Sequence, residues 1–137
     1  MNADETYSLK TKSNFKTFLV KALSLFSSVR LYNVTIVAIA QLLAAIFIIA
    51  PELTVKTILL DYRLWLIIIA SSAAIAGGYI INNFYDREKD LINRPQKTLL
   101  ENKVSRSTLW SVYFTVNGIA FVLGSIVSWR AGLFFAF

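Results

Sequence analysis

The chain has 137 residues, of which 56% are hydrophobic and 16% charged, leaving room for one domain with a balance foreign to ordinary soluble folds. It contains no cysteine and no histidine. Disulfides, thiolate metal sites and imidazole acid–base chemistry are therefore excluded. The formal net charge of +6 does not point to nucleic acid, because the cations fall between apolar blocks rather than in one patch.

Residues 1–14 are polar and without periodicity, which predicts a disordered cytoplasmic tail. Over residues 15–29 the pattern changes: Phe15, Phe18, Leu19, Ala22, Phe26 and Val29 recur at helical spacing. Lys16, Lys21, Ser24 and Ser28 fall mostly on the other side, so an amphipathic helix lying in the membrane interface is expected. A signal peptide is rejected, because Lys21 interrupts the apolar stretch and no small-residue cleavage site follows.

Three uncharged blocks follow, Leu31 to Ala50, Leu64 to Tyr85 and Leu109 to Trp129, of twenty, twenty-two and twenty-one residues. A helix needs about 20 residues to cross the hydrocarbon core, so each block is long enough. The expected fold is an all-α, polytopic transmembrane helical bundle, with spans near 31–50, 64–90 and 109–129 and a fourth beginning at 133. Because the sequence closes inside that apolar run, the bundle is expected to be incomplete.

The charges support three crossings. Lys10, Lys12, Lys16, Lys21 and Arg30 precede the first span, and Arg87, Lys89, Arg94, Lys97, Lys103 and Arg106 separate the second from the third. Only Lys56, Arg63 and Arg130 lie on the other side. By the positive-inside rule the N-terminus and the loop over 86–106 face the cytoplasm.

Within the first span, Asn33 and Gln41 are eight residues apart, about 80° around a helix. An unpaired amide at mid-bilayer is costly. The two therefore either line a polar cavity or make plain hydrogen bonds between helices. Pro51 ends this span, and a short loop from Glu52 to Asp61 returns the chain. In the second span Ala73, Ala74, Gly77 and Gly78 form pairs of small residues that admit a neighbouring helix. In the third, Trp110 and Trp129 suit interfacial anchoring.

The second span closes on Asn82-Asn83-Phe84-Tyr85-Asp86-Arg87-Glu88-Lys89-Asp90. Asn82, Asp86 and Asp90 recur at steps of four, each drifting about 40°, so the three project from one helical face over about 12 Å. An amide and two carboxylates are hard oxygen ligands of the kind Mg²⁺ accepts alongside substrate phosphates and water. Arg94 and Lys97 follow in a segment that Pro95 keeps out of the helix, and two cations beside such a row complete a diphosphate site. The plainer alternative is a helix that turns polar as it leaves the membrane. That accounts for Arg87, Glu88 and Lys89. It accounts poorly for Asp86 and Asp90, since carboxylates near a helix C-terminus oppose the macrodipole by about 0.3–1 kcal/mol each.

From Gly77 to Ser105 the sequence resembles the first signature of the UbiA-type intramembrane prenyltransferases. That signature runs Asn-Asp-x-x-Asp-x-x-x-Asp, then Asn, a basic residue, Pro, any residue, a second basic residue and Pro. The resemblance implies that Asp86 and Asp90 are catalytic and that Asn82, Asp86 and Asp90 hold Mg²⁺, partly through the diphosphate. It also implies that Asn82, Arg94 and Lys97 bind the diphosphate. Asn83 stands where the family usually has Asp, Thr98 replaces the second proline, and Asn102 replaces a common glycine; none of these removes a member of the row. The implied reaction moves a prenyl group from a prenyl diphosphate to a lipid-soluble or aromatic acceptor within the bilayer. The wording around the motif is most similar to members acting on geranylgeranylglycerol phosphate, with a quinone precursor as the other acceptor class. The family's second aspartate motif has no counterpart after Ser105, where neither Asp nor Glu occurs. Half of a two-sided metal clamp is thus expected.

Two rivals remain. CDP-alcohol phosphotransferases also place spaced aspartates on a membrane helix, but their motif needs an Asp-Gly dipeptide, which is absent, and a Gly where Asn82 stands. A non-enzymatic membrane subunit or transporter fragment would use the polar row to contact a partner.

Overall fold

In the computed structural model, which describes residues 17–27, 30–93 and 104–136 without the side chains of Arg87, Glu88, Asp90 and Leu91, each apolar block forms one long helix. Helix α1 covers Thr17–Ser27. Helix α2 covers Leu31–Ala44 and continues as a π-helical turn over Ala45–Ile49. The short α3 covers Val55–Leu59, α4 covers Tyr62–Asn93, α5 covers Arg106–Val127 and α6 covers Trp129–Ala136. No strand occurs among the described residues. Three stretches, Leu31–Ile49, Tyr62–Asp86 and Arg106–Val127, are long and apolar enough to cross a membrane. The large apolar residues they leave exposed, such as Phe47, Phe114 and Ile126, would be untenable in water over so wide an area. The fold is a helical bundle of an integral membrane protein.

Local chemistry explains the helix ends. Ser105 caps α5 by accepting from the Thr108 backbone N–H at 3.1 Å, and Thr54 caps α3 by accepting from that of Thr57 at 3.3 Å. The stretch from 52 to 61, expected as a loop, folds in part into α3 because of this cap. Trp65 secures it by donating its indole N–H to the Leu59 carbonyl at 2.8 Å. The π turn precedes Pro51, which disfavours helical geometry at Ala50; there the backbone has left the helix, and the Ala50 N–H reaches back to the Ala45 carbonyl at 3.2 Å. Helix α4 runs three residues past Asp90, to Asn93.

The third span ends at Val127, and Trp129 belongs to the next helix rather than to its end. The residue between them, Ser128, is extended (φ −163°, ψ 153°), and its hydroxyl accepts from the Ala131 N–H at 3.1 Å. It thereby caps α6, which starts four residues ahead of the expected position 133. Helix α6 folds back onto α5, and α4 packs against α5 on one side and α2 on another.

Helix α1 departs from the expected sidedness. Ser24, placed with the polar residues by periodicity, is fully buried, while Phe18 and Phe26 remain exposed. Its hydroxyl donates to the Val20 carbonyl at 2.7 Å, so the small residue turns inward without leaving a polar atom unsatisfied. Neighbouring Leu25 packs against the core of Ile80, Val104 and Leu109. The large apolar side chains are left for the membrane interface.

Candidate functional site

The basic end of the bundle is where α4 carries its polar row. Asn82 is exposed and Asp86 half-buried. Their orientation follows from the opposite face, where Ile80 is fully buried against Val104 and Leu109. Phe84 stacks on Trp110 with ring centroids 5.0 Å apart, and Trp110 contacts Tyr113 and Phe114 in turn. Ile80 and Phe84 each stand two residues before a member of the row, about 160° away around the helix. Packing that face against α5 turns Asn82 and Asp86 outward. Among the described residues, no side chain is hydrogen-bonded to or ion-paired with either.

A groove lies beside the row. About 60° around α4 from Asn82 lies Tyr79, whose ring is covered by the Arg30 guanidinium at 5.2 Å from its centroid and whose hydroxyl accepts from Asn33 Nδ2 at 3.2 Å. About 40° the other way lies Gly78, with no atom within 4 Å of the place a Cβ would occupy. Below it, Ser71, Ala74, Gly78, Asn117, Phe134 and Phe135 line a largely apolar cavity of about 490 Å³ between α4, α5 and α6. A hard-oxygen head and an apolar trough thus share one side of α4.

Asn33 and Gln41 both reach across the α2–α4 interface. Asn33 meets Tyr79, and Gln41 Oε1 accepts from the Ser71 hydroxyl at 2.8 Å. Each is half-buried. The structure thereby gives both amides interhelical partners. Asp90 lies on α4 one turn beyond Asp86, with its side chain outside the described residues. Arg94 and Lys97 lie wholly outside them.

Periodicity alone does not reveal Arg30 and Tyr79. In the sequence Arg30 reads as a topological charge and Tyr79 as one more apolar residue of the span. The signal available is their spacing, since Tyr79 is seven residues before Asp86 and so nearly on its face.

As a metal site the row is lean. Among the described residues, no three carboxylate, imidazole or thiolate groups converge. Its amide and carboxylate oxygens nonetheless suit Mg²⁺, which takes one or two carboxylates and draws its other ligands from phosphates and water.

The site thus belongs to an intramembrane helical bundle that carries an amide and a carboxylate at the basic end of α4, with a largely apolar cavity beside them. The chain matches the UbiA prenyltransferase family over residues 37–137 and belongs to that family. Over 96 residues it is 35% identical to the digeranylgeranylglyceryl phosphate synthase of Sulfurisphaera tokodaii, a match covering 69% of this chain and 32% of that protein. The chain thus spans about a third of that relative's length. No solved structure matches it.

Proposed function

We propose that this protein is a membrane prenyltransferase that moves a prenyl group from a prenyl diphosphate to a lipid-soluble acceptor, with geranylgeranylglycerol phosphate the favoured acceptor. The observation that carries the reading is the position of Asn82 and Asp86, facing outward on α4 just past Gly78 and Ile81, which line the apolar cavity along the same side of the helix. Family membership and the name of the similar synthase point the same way. A quinone precursor is the second acceptor class.

On this reading the residues take the following parts. Asn82, Asp86 and Asp90 supply the oxygen donors at the basic end, taken by the positive-inside rule to face the cytoplasm. Mg²⁺, held by these three and by the diphosphate itself, would neutralise the leaving group. Arg94 and Lys97 follow the row in sequence, and Arg30 adds a cation at the groove's edge; they stabilise charge on the departing oxygens. The apolar trough keeps the tail out of water and excludes water from the reacting carbon. The allylic carbon–oxygen bond breaks with its electron pair leaving on pyrophosphate. The acceptor's nucleophilic oxygen then bonds to that carbon and loses its proton.

The test is transfer of a radiolabelled prenyl group in membranes that contain the intact protein, with and without Mg²⁺. Transfer to geranylgeranylglycerol phosphate that requires Mg²⁺ and collapses in Asp86→Asn supports the reading. Undiminished transfer in Asp86→Asn, or none to either acceptor class, refutes it.

A further inference from the structure

We propose that the rings of Phe134 and Phe135 set the length of isoprenoid tail the groove accepts. This rests on the reading above, in which the diphosphate head sits at Asn82 and Asp86. The cavity that continues along that face is walled by α6 through these two rings and extends along α4 as far as Ser71. Ser71 lies fifteen residues before Asp86, about 22 Å along the helix axis. The occupant that fits is therefore a long, narrow apolar chain attached to the anionic head, because the cavity begins at Gly78 and Ile81, next to Asn82 on α4, and is lined mostly by apolar atoms.

The wall is held firmly. The two rings meet edge to face with centroids 5.3 Å apart. Phe135 lies directly on Gly124, its Cδ2 only 2.6 Å from where a Cβ on that glycine would stand. Gly132 packs onto Ser125, so closely that a side chain there would meet the serine hydroxyl. Between them Ser128 ties the turn: its N–H donates to the Gly124 carbonyl at 3.0 Å, and its hydroxyl caps α6. Two glycines and one serine thus fix the depth at which Phe135 stands, and the more exposed Phe134 leans on its ring. A firmly packed wall discriminates by size, since a tail one unit too long must displace packed atoms.

The experiment uses vesicles containing the intact protein, Mg²⁺ and radiolabelled geranylgeranyl diphosphate. Geranyl, farnesyl, geranylgeranyl and longer polyprenyl diphosphates compete, alongside inorganic pyrophosphate. The wild type should lose affinity sharply beyond one tail length. Phe134→Ala and Phe135→Ala should move that limit outward by at least one isoprenoid unit and raise the relative affinity of the next longer tail about tenfold, a contact's worth of discrimination. Pyrophosphate affinity should not change. Phe134 is 77% exposed, so its truncation spares the fold. Gly124→Ala, which presses on Phe135 and on the Ala131 backbone of the same helix α6, should shift the same length profile without altering pyrophosphate binding. If the profile is identical in wild type and both Phe variants while pyrophosphate still competes, the length assignment is wrong and the proposed function stands. The length assignment fails equally if the wild type shows no length limit, as when a lipid or another helix fills the groove. If neither prenyl diphosphates nor pyrophosphate bind, both readings fall together.

Discussion

The guanidinium of Arg30 lies over the ring of Tyr79, 5.2 Å from its centroid, and Arg30 is the one non-glycine residue with positive φ among those described (φ 49°). A left-handed backbone costs an L-residue about 1–2 kcal/mol. Strain of this kind persists where surrounding structure imposes it. Here the Arg30 carbonyl accepts from Asn33 N at 2.8 Å to start α2, while its side chain joins α2 to α4 through Tyr79.

The two contributions separate by substitution. Arg30→Gly removes the cation–π contact, worth about 0.5–1 kcal/mol at a partly exposed site, but relieves the left-handed strain. Arg30→Ala removes the contact and keeps the strain. In thermal unfolding in detergent, Arg30→Ala should therefore be less stable than Arg30→Gly by about 1 kcal/mol. Equal stabilities would mean that the turn relaxes and the backbone geometry is not imposed.

Gly77 makes a second such pairing. A Cβ placed there would run into the Asn117 amide, whose Nδ2 donates to the Tyr113 carbonyl at 2.8 Å. Gly77→Ala should push Asn117 off that bond and destabilise the α4–α5 contact by about 1–3 kcal/mol, as overpacking does. Adding Asn117→Ala should recover most of the loss, which a double-mutant cycle measures. Gly78→Ala is the control, since nothing stands within 4 Å of its Cβ position; a comparable loss there would deny that the clash with Asn117 is the cause.

Gln41 and Ser71 share a hydrogen bond of 2.8 Å between two spans. Interhelical bonds in membranes average about 0.6 kcal/mol and reach about 1.7. Ser71→Ala leaves the Gln41 amide short of a partner and should cost an amount in that range. Removing both groups, in Gln41→Leu with Ser71→Ala, should cost less than the single change, because no polar atom is then left unsatisfied. Unfolding in bicelles or detergent checks the order. An additive double variant would show that the pair is not coupled.

Much of this architecture was legible because apolar block length and the 3.6 period act directly on the backbone in a membrane. The three spans and the shared helical face of Asn82 and Asp86 follow from those two facts alone; that the face points outward follows from the packing of Ile80 and Phe84. Ser128 was not legible, since a lone serine in an apolar run gives no warning that it will both end α5 and cap α6. Arg30 and Tyr79 escape a sequence reading for a different reason. Their contact joins residues 49 positions apart in sequence, and only the crossing of α2 over α4 brings them together. Ser24 misleads because a serine counts as polar in any periodicity, although a hydroxyl bonded to its own helix can be buried.

Asp90 offers the sharpest separation of function from structure. It stands three residues before Asn93, in the last turn of α4. A carboxylate in the last turn of a helix opposes the macrodipole by about 0.3–1 kcal/mol. On stability alone, Asp90→Asn should therefore be neutral or better. If the row grips the diphosphate as proposed, the same change should lower transfer by about 10²–10³-fold, the scale seen when one electrostatic contact to a developing anion is lost. Opposite signs in one variant, a thermal midpoint that holds or rises and a turnover that collapses, fit a residue kept for its chemistry. Asp86→Asn should share the loss of turnover with less gain in stability, because it lies a turn further from the helix end, where the dipole is weaker. Parallel losses of stability and activity in both variants would instead mean that the carboxylates support the fold, and the assignment of the row to diphosphate binding would have to be abandoned.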